Sequence, residues 1–165
     1  MDRTTHWIGQ FNSFLCLAMV LIGAFNALAR KLGHSFGLNL SSNAYLEIQW
    51  YLFSILFLLG ASYTLKADEH VRVDVFYTRL NPRQKAWLNL LGHLFFLIPF
   101  ALVMIWLSWP MVMASWNVLE QSPDPGGLPR YPIKTLILVA FILFGLQGLS
   151  EAFKSIRRLR HKEAV

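Results

Sequence analysis

Charged positions along this 165-residue chain are clumped, and long apolar runs separate the clumps. Residues 4–29, 48–65, 86–119 and 135–150 contain no Asp, Glu, Lys or Arg. Charge-free runs of this length exceed what a soluble amphipathic helix needs, and they match the roughly 20 helical residues that cross a hydrocarbon core of about 30 Å. Backbone polar groups in lipid must be satisfied within one segment, so the runs are read as helices. The pattern predicts an all-α integral membrane protein with four transmembrane helices, in a single membrane domain over 1–165. The spans are expected at about 7–29, 45–65, 83–119 and 133–153. The third run would reach roughly 50 Å at about 1.5 Å per residue. Tilt, or a kink at Pro99 or Pro110, is therefore expected there. The fourth is short, and Lys134 and Lys154 are expected to snorkel from its ends.

The first run has a second reading. Arg3, an apolar stretch over 14–25 and then Ala27-Leu28-Ala29 resemble a secretory signal with its cleavage site. The uncharged stretch is longer than such a signal, and it is read as a retained span. Basic residues set the orientation. Of fifteen Lys and Arg, eleven fall in the N-terminus, the second loop and the tail, and four in the first and third loops. Both termini are thus expected in the cytoplasm, in a multi-pass membrane protein.

Composition sharpens this picture. The chain is 55% hydrophobic and 15% charged, with mean hydropathy +0.44, against about 25% charged for a soluble domain. The net charge of +6 then reads as a topology signal, and no nucleic-acid partner is expected. One cysteine, Cys16, permits no internal disulfide and no thiolate-rich metal site. No phosphate-binding loop, nucleophile elbow, metal-ligand spacing or dinucleotide fingerprint is present, so neither an enzyme nor a cofactor is expected.

Small and polar residues in a lipid-embedded helix mark helix contacts. Asn12, Cys16, Met19, Gly23 and Asn26 share a face of the first helix. Glu47, Tyr51, Ser54, Leu58, Ala61 and Ser62 share one of the second, with Leu52, Leu56 and Leu59 opposite. Ala140, Gln147 and Glu151 share one of the fourth, which also carries Gly145 and Gly148. Cys16 is read as a small packing residue, and so is His93, since bis-His haem ligation lacks a second histidine at matching depth. Glu47 has two readings. It is a first-turn acid favouring the helix dipole behind N-cap candidates Ser41, Ser42 and Asn43, or it is a buried polar contact or ion ligand. In the second loop Val71, Val75, Phe76 and Leu80 form an apolar edge, with Arg72 and Arg79 facing headgroups or solvent. This suits a short amphipathic segment on the cytoplasmic surface, before Asn81 caps and Pro82 opens the third helix. The third loop, with four prolines and two glycines between Gln121 and Pro132, is expected to be extended and to lie outside.

Four features taken together resemble a known family: Glu47 at the opening of the second span, Leu59-Gly60-Ala61, Tyr63, and His70-Val71-Arg72-Val73-Asp74. They are similar to the small permease (Q-type) subunit of tripartite ATP-independent periplasmic (TRAP) transporters. The resemblance implies a non-enzymatic subunit packed against a large multi-span elevator-type subunit. That subunit takes up a solute, an organic acid by expectation, delivered by a periplasmic solute-binding protein and driven by a sodium gradient. Subunit-interface roles are expected for Glu47, His70, Arg72 and Asp74. Pro123, Asp124, Gly126, Gly127 and Arg130 are expected to dock the binding protein. Two other classes compete. One is a stand-alone four-helix transporter with Glu47 as its ion site. The other is a haem- or quinone-binding membrane anchor.

Overall fold

A computed structural model describes residues 2–37, 42–67 and 77–161. Helix α1 (Asp2–Phe36) and α2 (Asn43–Ala67) precede a third span made of three pieces. These are α3 (Pro82–Gly92), a π turn (His93–Leu97) and α4 (Ile98–Asn117); α5 (Tyr131–His161) follows. The described residues contain no strand. Four segments are long and apolar enough to cross a membrane: Trp7–Phe36, Asn43–Ala67, Pro82–Asn117 and Tyr131–Arg160. Most run past the charge-free stretches, because Arg30, Lys31, Arg157 and Arg158 are good helix formers that continue the helix beyond the hydrocarbon.

The helix ends follow from local chemistry. Gly37 ends α1 at φ +67, a left-handed conformation that glycine adopts without a Cβ clash. Of the expected α2 caps, Ser42 performs the role: its Oγ accepts the Ala44 N–H at 3.2 Å. Asn81 is the N-cap of α3, Pro82 follows it, and the Asn81 N–H donates to Gln84 Oε1 at 2.9 Å. The third span breaks its α-helical ladder just before Pro99. The Ile98 N–H reaches back five residues to the His93 carbonyl. Proline has no N–H and its ring crowds the carbonyl four residues earlier; a widened turn relieves that crowding. Pro110 is carried inside α4. The third span stops at Asn117, two residues short of the expected end, because Leu119 turns to φ +46 and the Glu120 N–H returns to the Ser115 carbonyl at 3.0 Å.

The spans form a row. Helix α1 packs on α2, α2 on α5, and α5 on all three pieces of the third span. Two-sided contact explains why both the polar stripe of α2 and its leucine side are partly covered. Contacts rely on small residues. The Tyr63 ring fills the place of a side chain at Gly9, Gln49 lies against Gly23, and Leu97 sits over Gly148. Asn12 donates to the Leu56 carbonyl at 3.0 Å. Cys16 departs from expectation: it is exposed, and the contact stripe keeps the expected Asn26 but takes in Leu15 and Ala29 in place of Cys16. A hundred degrees per residue places positions 15 and 16 on opposite shoulders of the face, and α1 rolls towards Leu15.

Candidate functional site

The polar centre of the described structure lies where the loop after α4 folds back over the start of α2. Its neck is closed by the Arg130 N–H donating to the Glu120 carbonyl at 2.8 Å. The Glu120 side chain accepts from Ser115 Oγ at 2.6 Å and pairs with Lys134 on α5, tying both flanking helices to the neck. Lys134 and then Ser115 hold the Glu120 carboxyl below its ordinary range. Trp116 Nε1–H donates to Thr135 Oγ1 at 2.7 Å, and its ring meets Tyr131 edge-on with centroids 4.6 Å apart.

The tip of the loop is a tight turn through Asp124-Pro125-Gly126-Gly127. Pro125 fixes the first corner, Gly126 takes φ +74 at the second, and the Gly127 N–H donates to the Asp124 carbonyl at 3.0 Å. This is a type II turn, and the sequence order Pro-Gly is the one it requires.

Glu47 lies beneath this loop and is 2% exposed. One carboxylate oxygen accepts from Ser122 Oγ and the other from the Leu128 N–H. Tyr51, one turn further along α2, donates its hydroxyl to the Pro129 carbonyl at 2.6 Å. Asn43 Nδ2 donates to the Pro125 carbonyl at 3.2 Å. One face of α2 therefore holds the loop at three points. Gly127 is small because its side-chain position is taken by Ser122 and the Glu47 carboxylate. Arg130 sits at the neck, where its charge acts on both Glu47 and Glu120.

This geometry corrects the dipole reading of Glu47. The acid lies beyond the first turn of α2, and its carboxylate is spent on the loop rather than on the helix terminus. It also disfavours an ion site. A cation needs convergent oxygen acceptors, whereas Glu47 meets a hydroxyl and an amide that both donate. Among the described residues no three His, Cys, Asp or Glu side chains are grouped to hold a metal.

Of the expected docking residues, Pro123, Asp124 and Gly126 are exposed on the rim, while Gly127 and Arg130 are partly buried. His70, Arg72 and Asp74, with the apolar edge Val71, Val75 and Phe76, lie outside the described residues. Sequence reasoning missed Glu120, Ser122 and the role of Tyr51. For Glu120 a signal existed, as the first acid after a long uncharged run with Lys134 on the next helix. Ser122 has none, since its partner is 75 residues away.

Long apolar helices, small-residue contacts and a polar centre that fixes a loop define a multi-pass membrane protein. A model of the family described as tripartite ATP-independent periplasmic transporters, DctQ component, matches residues 19–158. The chain belongs to this family and is a small component of a TRAP transporter; the family is one of transporter components rather than enzymes. No characterised protein and no solved structure matched the chain.

Proposed function

We propose that the chain is the small membrane subunit of a TRAP-type secondary transporter, packing against a large elevator-type subunit and enlarging its fixed scaffold. The solute is an organic acid delivered by a periplasmic binding protein, and a sodium gradient drives uptake across the bacterial inner membrane. Both termini lie in the cytoplasm. The observation that carries this reading is the family match, which runs from the middle of the first span to the end region of the fourth. The row of helices supports it, since an open row leaves long apolar faces for another membrane protein. One such face on α1 presents Phe14, Leu21, Phe25 and Leu28, all more than half exposed.

The loop held by Glu47 contributes a rigid outer surface, with Pro123, Asp124 and Gly126 presented to the binding protein and Gly127 and Arg130 fixing their placement. His70, Arg72 and Asp74 act at the interface with the large subunit, and Glu47 acts there through the loop it anchors. Co-expression of the chain with a large TRAP subunit and a binding protein tests the proposal. Stable co-purification, and solute uptake that needs all three proteins and a sodium gradient, is expected. Uptake by this chain alone in liposomes would refute it. Unchanged assembly and uptake after both Glu47→Ala and Asp74→Ala would remove the interface roles.

A further inference from the structure

The seam between the third span and α5 opens twice, and the two openings differ in chemistry. At the end where α3 begins and α5 finishes, a cavity of 410 Å³ is bordered by Tyr77, Arg83, Lys85, Asn89, Arg158 and Leu159. Among the described residues that border it, three side chains are cationic and none is acidic. The geometry around Tyr77 is ordered: Asn89 Nδ2 donates to its hydroxyl at 3.1 Å, and Lys85 Nζ lies 5.0 Å from its ring centroid. The ammonium is thereby held at the cavity by an aromatic face, a contact that leaves its charge unneutralised.

Deeper along the same seam a second opening of 190 Å³ lies between α4 and α5, against Ile98, Ala101, Leu102, Phe141, Gly145 and Leu149. Every described residue around it is apolar or glycine. Gly145 lines it, where a Cβ would make ordinary contact with that of Ala101 at 3.4 Å and a longer side chain would enter the opening. From Asn89 to Ile98, and from Leu159 back to Leu149, the helices advance about 15 Å. A headgroup layer is about 5–8 Å thick and one leaflet's hydrocarbon about 15 Å deep. With the basic opening placed at headgroup level, the apolar opening begins at acyl depth beneath it and continues towards the bilayer centre.

We propose that this seam is a binding site for one anionic phospholipid. Lys85 and Arg158 receive the phosphate headgroup, and the groove at Gly145 receives an acyl chain. Charge and depth match this ligand together. A free phosphate would use only the upper opening, and a neutral lipid only the lower one. The lipid lies beside the contact that joins α5 to the third span, and its headgroup bridges the start of α3 and the end of α5. The site is independent of the transport role.

Native mass spectrometry of the full chain in detergent, titrated with dioleoyl-phosphatidylglycerol and with dioleoyl-phosphatidylcholine, tests this. One phosphatidylglycerol is expected to remain bound at concentrations where phosphatidylcholine does not. Lys85→Gln with Arg158→Gln should weaken its retention about thirtyfold, given the usual contribution of each basic residue at an anionic surface. Both side chains border an open cavity, and an unchanged circular dichroism spectrum confirms that the double variant is folded. Gly145→Leu should weaken dioleoyl-phosphatidylglycerol but spare a short-chain analogue. Equal retention of the two lipids, or no effect of the double substitution, would overturn the proposal. Displacement by millimolar inorganic phosphate as effective as by added lipid would overturn it too, by showing a free-anion site.

Discussion

At Glu47 the physical demand is severe, because a carboxylate near lipid must be neutralised or fully hydrogen-bonded. Its two oxygens meet the Ser122 hydroxyl and the Leu128 amide, donors from a loop far away in sequence. Glu47→Ala removes both acceptors at once and leaves the Leu128 N–H without its partner. The expected outcome is hydrogen exchange at residues 126–128 faster by about tenfold or more, with exchange in the middle of α5 unchanged. Mass-resolved exchange on the detergent-solubilised chain measures it; protection that survives in the loop would show that Tyr51 and Asn43 suffice. That Glu47 mattered could be read from its position as an acid at the edge of an uncharged run. What it bonds could not, since Ser122 and Leu128 reveal themselves only when the loop folds over α2.

Among the elements, the loop neck and the α5 seam make separate demands. Glu120 has a folded value below its ordinary 4.5 because Lys134 and Ser115 favour the ionised form. A depressed carboxyl contributes stability that is present above about pH 4.5 and lost as pH falls through the lower folded value. Wild type should therefore melt higher than Glu120→Gln near neutrality. The difference should vanish on acidification below pH 4.5, as followed by tryptophan fluorescence in detergent. A gap that stays constant with pH would show that the Lys134 pair contributes nothing. Along α5, Leu97 occupies the place a side chain at Gly148 would need, whereas Gly145 has ordinary contact distance to Ala101. Gly148→Leu should destabilise the chain by about 2 kcal/mol through overpacking, and Gly145→Ala should be close to neutral. Denaturant titration of the two variants side by side separates them. The sequence marked both glycines as contact residues; their unequal tolerance depends on which partner side chain faces each one.

For the whole molecule, a row of spans is an incomplete solution to packing. In lipid no hydrophobic force draws helices together, and close approach of small residues must do it. Helix α1 has substantial contact only with α2, and the apolar window of the third span is 6% buried against 28% for that of α5. A partner that binds only the folded chain stabilises it by mass action. If the large subunit covers these faces, its presence should raise the melting temperature of this chain by several degrees and slow exchange along α1 most of all. A melting temperature indifferent to the co-purified partner would show that the exposed faces belong to lipid alone.

Four helices in a membrane were determined by the sequence alone, because lipid allows a charge-free run of this length few structures other than a helix, and charges can lie only near its ends. The cap at Asn81 and Pro82 was equally legible, since proline restricts the backbone locally, whereas the third loop, expected to be extended, folds back through the turn at Asp124 to Gly127. The family was legible in short motifs that include His70 to Asp74. Tertiary structure alone decided the order of the row, the roll of α1 towards Leu15 in place of Cys16, and the turning of Glu47 away from its own helix terminus. It also aligned a basic opening and an apolar one along a single seam. Periodicity says that a helix has a contact face; which neighbour meets that face, and at what depth, is settled only when side chains from distant parts of the chain compete for the same space.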